Sequence, residues 1–185
     1  VDPAAFNNIA LRLSSHFGHT DVVKLLLADA RVDPTANYNY AIQWSSENGH
    51  AEVVKLLLAN AHVDPTAVNN LAIRWSSQEG HADVVKLLLA DERVDPAAED
   101  NYAIRWSSVN GYADTVKLLL ADACVDPTTD NNYAIRWSSA NGYADTVKLL
   151  LADARVARVD PTTNNNWEIR RSIKNLLYKV GFPQN

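Results

Sequence analysis

Several side-chain types in this chain are capable of chemistry, and most of them recur at a fixed interval. His19, His50 and His81 stand 31 residues apart, and imidazole is both a proton carrier and a common metal ligand. Rings one period apart on packed helices are separated by about 8–10 Å, whereas zinc ligands lie about 2 Å from one shared ion. The column is therefore assigned to the local turn, and neither metal nor cofactor is expected. Cys124 occupies the slot that Arg31, His62, Arg93 and Arg155 fill elsewhere. No histidine recurs beside it to activate a thiolate. Serine pairs such as Ser76-Ser77 recur in every full period, as a single catalytic serine would not, so they are packing residues. The glycines stand singly, a period apart, and form no phosphate-cradling loop. No enzyme is expected.

Two further columns are suited to recognition. Trp44, Trp75, Trp106 and Trp137 keep one register, with Leu13 in their place at the amino end. Beside them run Arg12, Arg74, Arg105 and Arg136, with Gln43 interrupting. Tryptophans at one per period either pack between adjacent helices, the favoured reading, or present a platform to a partner or a sugar ring. Arginine over tryptophan makes cation–π contacts within the scaffold or supplies donors to an acidic partner.

The elements that carry these columns follow from the period. Val-Asp-Pro begins at Val1, Val32, Val63, Val94 and Val125, and again at Val159 after a longer gap. This defines units 1–31, 32–62, 63–93, 94–124 and 125–155, an insertion at 156–158 from a duplicated Ala-Arg-Val, and an end unit at 159–185. The whole chain reads as one domain. Gly18, Gly49, Gly80, Gly111 and Gly142 divide each unit into two short helical patterns. In the fourth unit Asn101 is placed as the N-cap of a helix from Tyr102 to Asn110, stopped by Gly111 in the left-handed conformation. A second helix is expected from about Ala113 to Ala121. Ile104, Ser107 and Ser108 form a small, close-packing stripe, while Asp114 and Lys117 pair three apart on the outer face. Isolated helices shorter than about 12–15 residues are marginal in water. The units must therefore gain order from their neighbours, as an elongated, right-handed-turning solenoid.

Composition narrows the partners. The chain has 185 residues, 47% of them hydrophobic, and a net charge of −5, which gives no basic field to draw in nucleic acid or an anionic membrane. No apolar run approaches the roughly 18–20 residues that cross a bilayer. One cysteine cannot form an intrachain disulfide, which points to a reducing, intracellular and cytoplasmic setting. Methionine is absent, and a processed or partial chain is expected.

The segment Asn48-Gly49-His50-Ala51-Glu52-Val53-Val54-Lys55-Leu56-Leu57-Leu58 resembles the ankyrin repeat, whose second helix opens with Gly-His-x-Glu-Val-Val-Lys. The first helix departs from that family's Thr-Pro-Leu-His-x-Ala-Ala pattern, reading Tyr102-Ala103-Ile104-Arg105-Trp106-Ser107-Ser108. Its period is 31 residues, against the family's usual 33. The resemblance implies an all-α, ankyrin-type α-solenoid of stacked helix-turn-helix repeats with short loops. It also implies a non-enzymatic interaction module or scaffold that binds a protein partner through its concave face. In the end unit Ile169, Ile173, Leu176, Leu177 and Val180 imply a single capping helix.

Binding residues are expected where one exposed column varies on a constant frame. Among loop-tip residues this selects Tyr38, Val68, Glu99, Asp100 and Asp130; on the first helices it selects Glu47, Gln78 and Val109. The ladder adds Gln43, Arg74, Arg105 and Arg136 with Trp44, Trp75, Trp106 and Trp137. The alternatives are a self-associating repeat array and, more remotely, a carbohydrate binder using the Trp/Arg ladder.

Overall fold

The computed structural model describes residues 2–157; the expected capping helix lies outside them. These residues form helix pairs in series. The pairs are α1 (Ala5–His16) with α2 (Thr20–Leu27), α3 (Ala36–Glu47) with α4 (Ala51–Leu58), and α5 (Ala67–Gln78) with α6 (Ala82–Leu89). Then follow α7 (Ala98–Val109) with α8 (Ala113–Leu120), α9 (Thr129–Asn141) with α10 (Ala144–Ala152), and a short α11 (Ala154–Ala157). Each first helix packs on the next, each second helix on the next, and the first-helix layer is the more closely packed of the two.

Local sequence dictates the punctuation. In the second helix the run Val-Val-Lys-Leu-Leu-Leu puts Val53, Val54 and Leu57 on a fully buried stripe and Lys55 outside. Gly111 takes φ +78, so its pair turns between α7 and α8 as the lone-glycine spacing predicted. At each new pair the Asp-Pro step folds into an Asx turn: Asp64 Oδ1 accepts the amide of Thr66 at 2.9 Å and its hydroxyl at 2.7 Å, and the proline beside it is buried.

The core is a seam of aliphatic side chains running along the array, from Leu11 and Val23 through Ile42, Leu57, Ile73, Leu88, Ile104 and Leu119 to Ile135 and Leu150. The serine pairs lie buried inside it. One of each pair, as Ser76, donates back to the carbonyl three residues earlier at 3.2 Å. An Asp-x-Arg fork follows three of the second helices, and at two of them, Arg93 and Arg155, it also closes the joint to the pair before. Arg93 grips Asp91 at 2.9 and 2.7 Å and reaches the Val63 carbonyl at 3.0 Å. Arg155 grips Asp153 and donates to the carbonyls of Leu120 at 2.7 Å and Val125 at 2.6 Å. Val156, counted with the insertion, is buried. No helix among the described residues is long and apolar enough to cross a membrane.

Candidate binding surface

Each first helix opens with a device that no glycine announces. Residues Phe6-Asn7-Asn8, Asn37-Tyr38-Asn39, Val68-Asn69-Asn70, Glu99-Asp100-Asn101 and Asp130-Asn131-Asn132 all hold φ between 52 and 64. This is a full left-handed turn, at about 1–2 kcal/mol per residue for L-amino acids. The third position is asparagine every time, one of the residues that tolerates the conformation best. Its amide closes the turn, as Asn101 N–H to Ala97 O at 2.8 Å. Its side-chain oxygen accepts the Asp amide of the next pair: Asp33 to Asn8, Asp64 to Asn39 and Asp95 to Asn70 at 2.9 Å, and Asp126 to Asn101 at 2.7 Å. The expectation that Asn101 caps its own helix is therefore corrected. The right-handed part begins at Tyr102, and Asn101 is a strut to the following pair, with Nδ2 also donating to Thr129 Oγ1 at 3.0 Å.

The arginine column exists because of that turn, whose carbonyls point out of the helical ladder and need donors. Arg12 donates to Asn7 O at 3.0 Å and Phe6 O at 3.2 Å, Arg74 to Asn69 O and Val68 O at 2.9 Å each, and Arg105 to Glu99 O at 3.1 Å. The same guanidinium groups lie over a tyrosine of the next pair: Arg12 over Tyr40 at 6.0 Å, Arg74 over Tyr102 at 5.4 Å and Arg105 over Tyr133 at 5.5 Å. Tryptophan was the expected ring. Successive residues on a helix diverge in direction, so each arginine turns to the neighbouring pair's tyrosine rather than to the tryptophan that follows it. Arg105 also stands 3.7 Å from Asp130. Gln43 is the exception: it is buried, its Nε2 donates to Tyr38 O at 2.6 Å, and its Oε1 has no partner among the described residues. The tyrosine register of the pair after it holds Leu71.

The tryptophans line the same layer. Trp44 stacks on Tyr40 at 4.6 Å and meets His16 edge-on at 5.2 Å. Trp106 lies 5.8 Å from Tyr102 and 6.4 Å from Tyr133, and Trp137 lies 5.9 Å from Tyr133. Trp44, Trp75 and Trp106 are half-buried, while Trp137 is 43% exposed. Burial pushes the Tyr102 hydroxyl above its ordinary range, against the lowering pull of Arg74 and Arg105; it donates to Gln78 Oε1.

The histidine column joins pairs. His50 and His81 cover Gly18 and Gly49 so closely that a Cβ there would stand 2.5 and 2.6 Å from the imidazole. Their Nε2 atoms reach the carbonyls of His16 at 2.9 Å and Glu47 at 2.8 Å. A carbonyl only accepts, so Nε2 carries the proton. In the next two pairs Tyr112 and Tyr143 cover Gly80 and Gly111 instead. The matching carbonyls, Gln78 O and Val109 O, are there bonded by Asn110 and Asn141 at 2.8 Å. One joint thus has two side-chain solutions, and the second was missed from sequence although the His-to-Tyr exchange was visible.

The remaining predicted residues fall into two groups. Tyr38 is 78% exposed and Val68 51%, and Glu99, Asp100 and Asp130 are exposed beside them on the left-handed turns. Glu47, Gln78, Val109 and Arg136 are half-buried along the first helices. Glu99 accepts from Asn69 at 2.7 Å across a joint. The turn residues and the ladder share the first-helix side of the array. The second helices carry the paired charges, closed at Asp21–Lys24 (3.8 Å) and Asp145–Lys148 (3.1 Å).

Serial helix pairs, a left-handed glycine between the helices of each, and an aliphatic seam define a helical repeat scaffold. The family model for ankyrin repeats matches residues 9–100 and 73–165, and the chain belongs to the ankyrin repeat family. Ankyrin repeats are generally protein–protein interaction modules, typically without enzymatic activity. No curated protein matches this sequence.

Proposed function

We propose that this chain is a non-enzymatic scaffold that docks a protein partner on its first-helix layer, the concave side of the array. The left-handed turns carry the reading. At their first two positions the backbone conformation favours glycine, asparagine or aspartate, yet Phe6, Tyr38, Val68 and Glu99 stand there with φ of 53, 61, 56 and 54. A bulky or β-branched residue is a genuine outlier in that region. Such strain accumulates where a site needs it. All four are exposed to solvent, so they contribute little packing in return. They change from turn to turn while the third position stays asparagine, which is the pattern of a variable reading edge on a fixed frame.

The arginine column supports the same reading by what it leaves over. Arg12, Arg74 and Arg105 are already bonded to turn carbonyls and laid over tyrosines. They hold the edge in place and offer few free donors to a sugar. Recognition falls to Tyr38, Val68, Glu99, Asp100 and Asp130, with the open edge of Trp137 at one end. The test is a set of exchanges to asparagine, at Tyr38, Val68, Glu99 and Asp130, titrated against a purified partner first identified by affinity capture. Asparagine suits the backbone, so the melting temperature is expected to hold or rise while affinity falls at least about tenfold, about 1.4 kcal/mol. Unchanged affinity in the quadruple variant would dismiss the reading.

A further inference from the structure

The exposed positions of the left-handed turns change character along the array. Tyr38 and Val68 place apolar surface at the second and third pairs, 78% and 51% exposed. Glu99, Asp100 and Asp130 place exposed carboxylates at the fourth and fifth. Arg105 stands 3.7 Å from Asp130, but it is half-buried and already committed to the Glu99 carbonyl and the Tyr133 ring. The edge therefore passes from apolar to acidic. Its second turn is also short of a donor. Arg12, Arg74 and Arg105 reach the carbonyl of the first turn residue at Phe6, Val68 and Glu99. Among the described residues no side chain does so at Asn37, where Gln43 bonds the Tyr38 carbonyl instead and keeps an unpartnered, buried Oε1.

Spacing adds a further constraint. Successive first helices pack on one another, so the turns repeat at the roughly 8–10 Å of packed helices, and Asn69 spans one such step to Glu99 at 2.7 Å. A β-strand puts residues three apart on opposite faces. An α-helix lays an apolar stripe into a continuous apolar groove, and here the apolar surface stops at Val68. A polyproline-II segment advances about 9.3 Å in each three-residue turn, keeps every third residue on one face, and leaves its own N–H groups unpaired.

We propose that the partner presents to this edge an extended polyproline-II segment with one contact residue at every third position, two apolar at one end and two basic at the other; the inference rests on the docking side proposed above. The apolar contacts cover Tyr38 and Val68, the basic ones face the carboxylates of Glu99, Asp100 and Asp130, and an N–H of the apolar half donates to the Asn37 carbonyl.

Fluorescence anisotropy of labelled peptides against the full 185-residue chain tests it. The probe has about twelve residues, four turns of the segment. It is proline except at every third position, which carries two leucines and then two arginines, and it is made in both chain directions. A second set carries glutamate for arginine. In one direction the arginine probe is expected to bind at least about tenfold more tightly than its glutamate counterpart, and to weaken as salt rises from about 50 to about 300 mM. Combining Glu99→Gln, Asp100→Asn and Asp130→Asn is expected to lower its affinity at least about tenfold. Equal affinity for the two sets, no binding of either, or an arginine probe indifferent to the triple variant would overturn the proposal. If a captured partner still loses affinity in the quadruple asparagine variant while the arginine probe fails, the docking side stands and the chemistry assigned to the segment falls.

Discussion

Gln43 and Leu71 form the one described joint at which the arginine–tyrosine contact is absent, and restoring it tests whether the column is structural. Replacing Gln43 by arginine supplies a donor for a second turn carbonyl, worth about 0.5–1.5 kcal/mol, and removes a buried oxygen that has no partner, worth about 1–3 kcal/mol. Against this stands the desolvation of a guanidinium beside an aliphatic residue. Leu71→Tyr alone gives up aliphatic burial for a ring with no cation above it. Together they recreate the 5.4–6.0 Å geometry of the other joints, adding about 0.5–1 kcal/mol of cation–π energy at a half-exposed site. The double variant is expected to exceed the wild type by about 1–2 kcal/mol, or several degrees at roughly 2–4 °C per kcal/mol. The coupling energy is expected near 1 kcal/mol and favourable. Urea unfolding followed by circular dichroism on all four proteins measures it. A coupling energy within about 0.3 kcal/mol of zero, or a double variant less stable than the wild type, would refute the assignment.

Three further outcomes follow from the same geometry. Asn39→Ala removes the acceptor for Asp64 N–H and puts alanine in a left-handed site, and should destabilise by about 2–4 kcal/mol in urea unfolding. Gly80→Ala should destabilise more than Gly142→Ala: both have φ near +80, but a Cβ at Gly80 would stand 2.5 Å from the Tyr112 ring whereas one at Gly142 meets nothing within 4 Å among the described residues. Equal losses in thermal melts would show the ring contact to be loose. Hydrogen bonds from Arg31 lower the Asp29 carboxyl to about 2, and Asp91 and Asp153 are lowered by Arg93 and Arg155. A depressed carboxylate stabilises fully above its unfolded value, near 3.9, and that contribution is lost as pH falls through the folded value. Stability should therefore drop between about pH 4 and pH 2, and less so in Asp153→Asn, as measured by denaturant midpoints across that range.

The scaffold was legible because its signals are periodic and local. Glycine spacing marked the inter-helix turns, and the second helix expected from about Ala113 to Ala121 is observed as Ala113–Leu120. The left-handed turn was not legible in the same way. Asparagine before a helical pattern is also what an N-cap looks like, and only the Asp64 and Asn39 partnership between pairs distinguishes the two uses. The arginine column was found, but its ring was misassigned to the adjacent tryptophan, since linear neighbours on a helix do not share a face. The signal that would have found the tyrosine was present: Gln43 replaces arginine in the pair before Leu71, where the tyrosine is also missing. Comparing successive periods for paired exchanges, as with Gln43 and Leu71 against Arg74 and Tyr102, recovers contacts that a single period hides.

The proposed docking side puts a protein partner along the left-handed turns and first helices. Photocrosslinking reads this directly: a benzophenone side chain placed singly at Tyr38, Glu99 or Asp130, and for comparison at Lys55 or Lys86 on the second helices, is irradiated in the cell and the adducts are identified by mass spectrometry. Adducts to a common protein from the first three sites, and not from the two lysines, are predicted. Adducts confined to Lys55 and Lys86, or equal from all five sites, would contradict it.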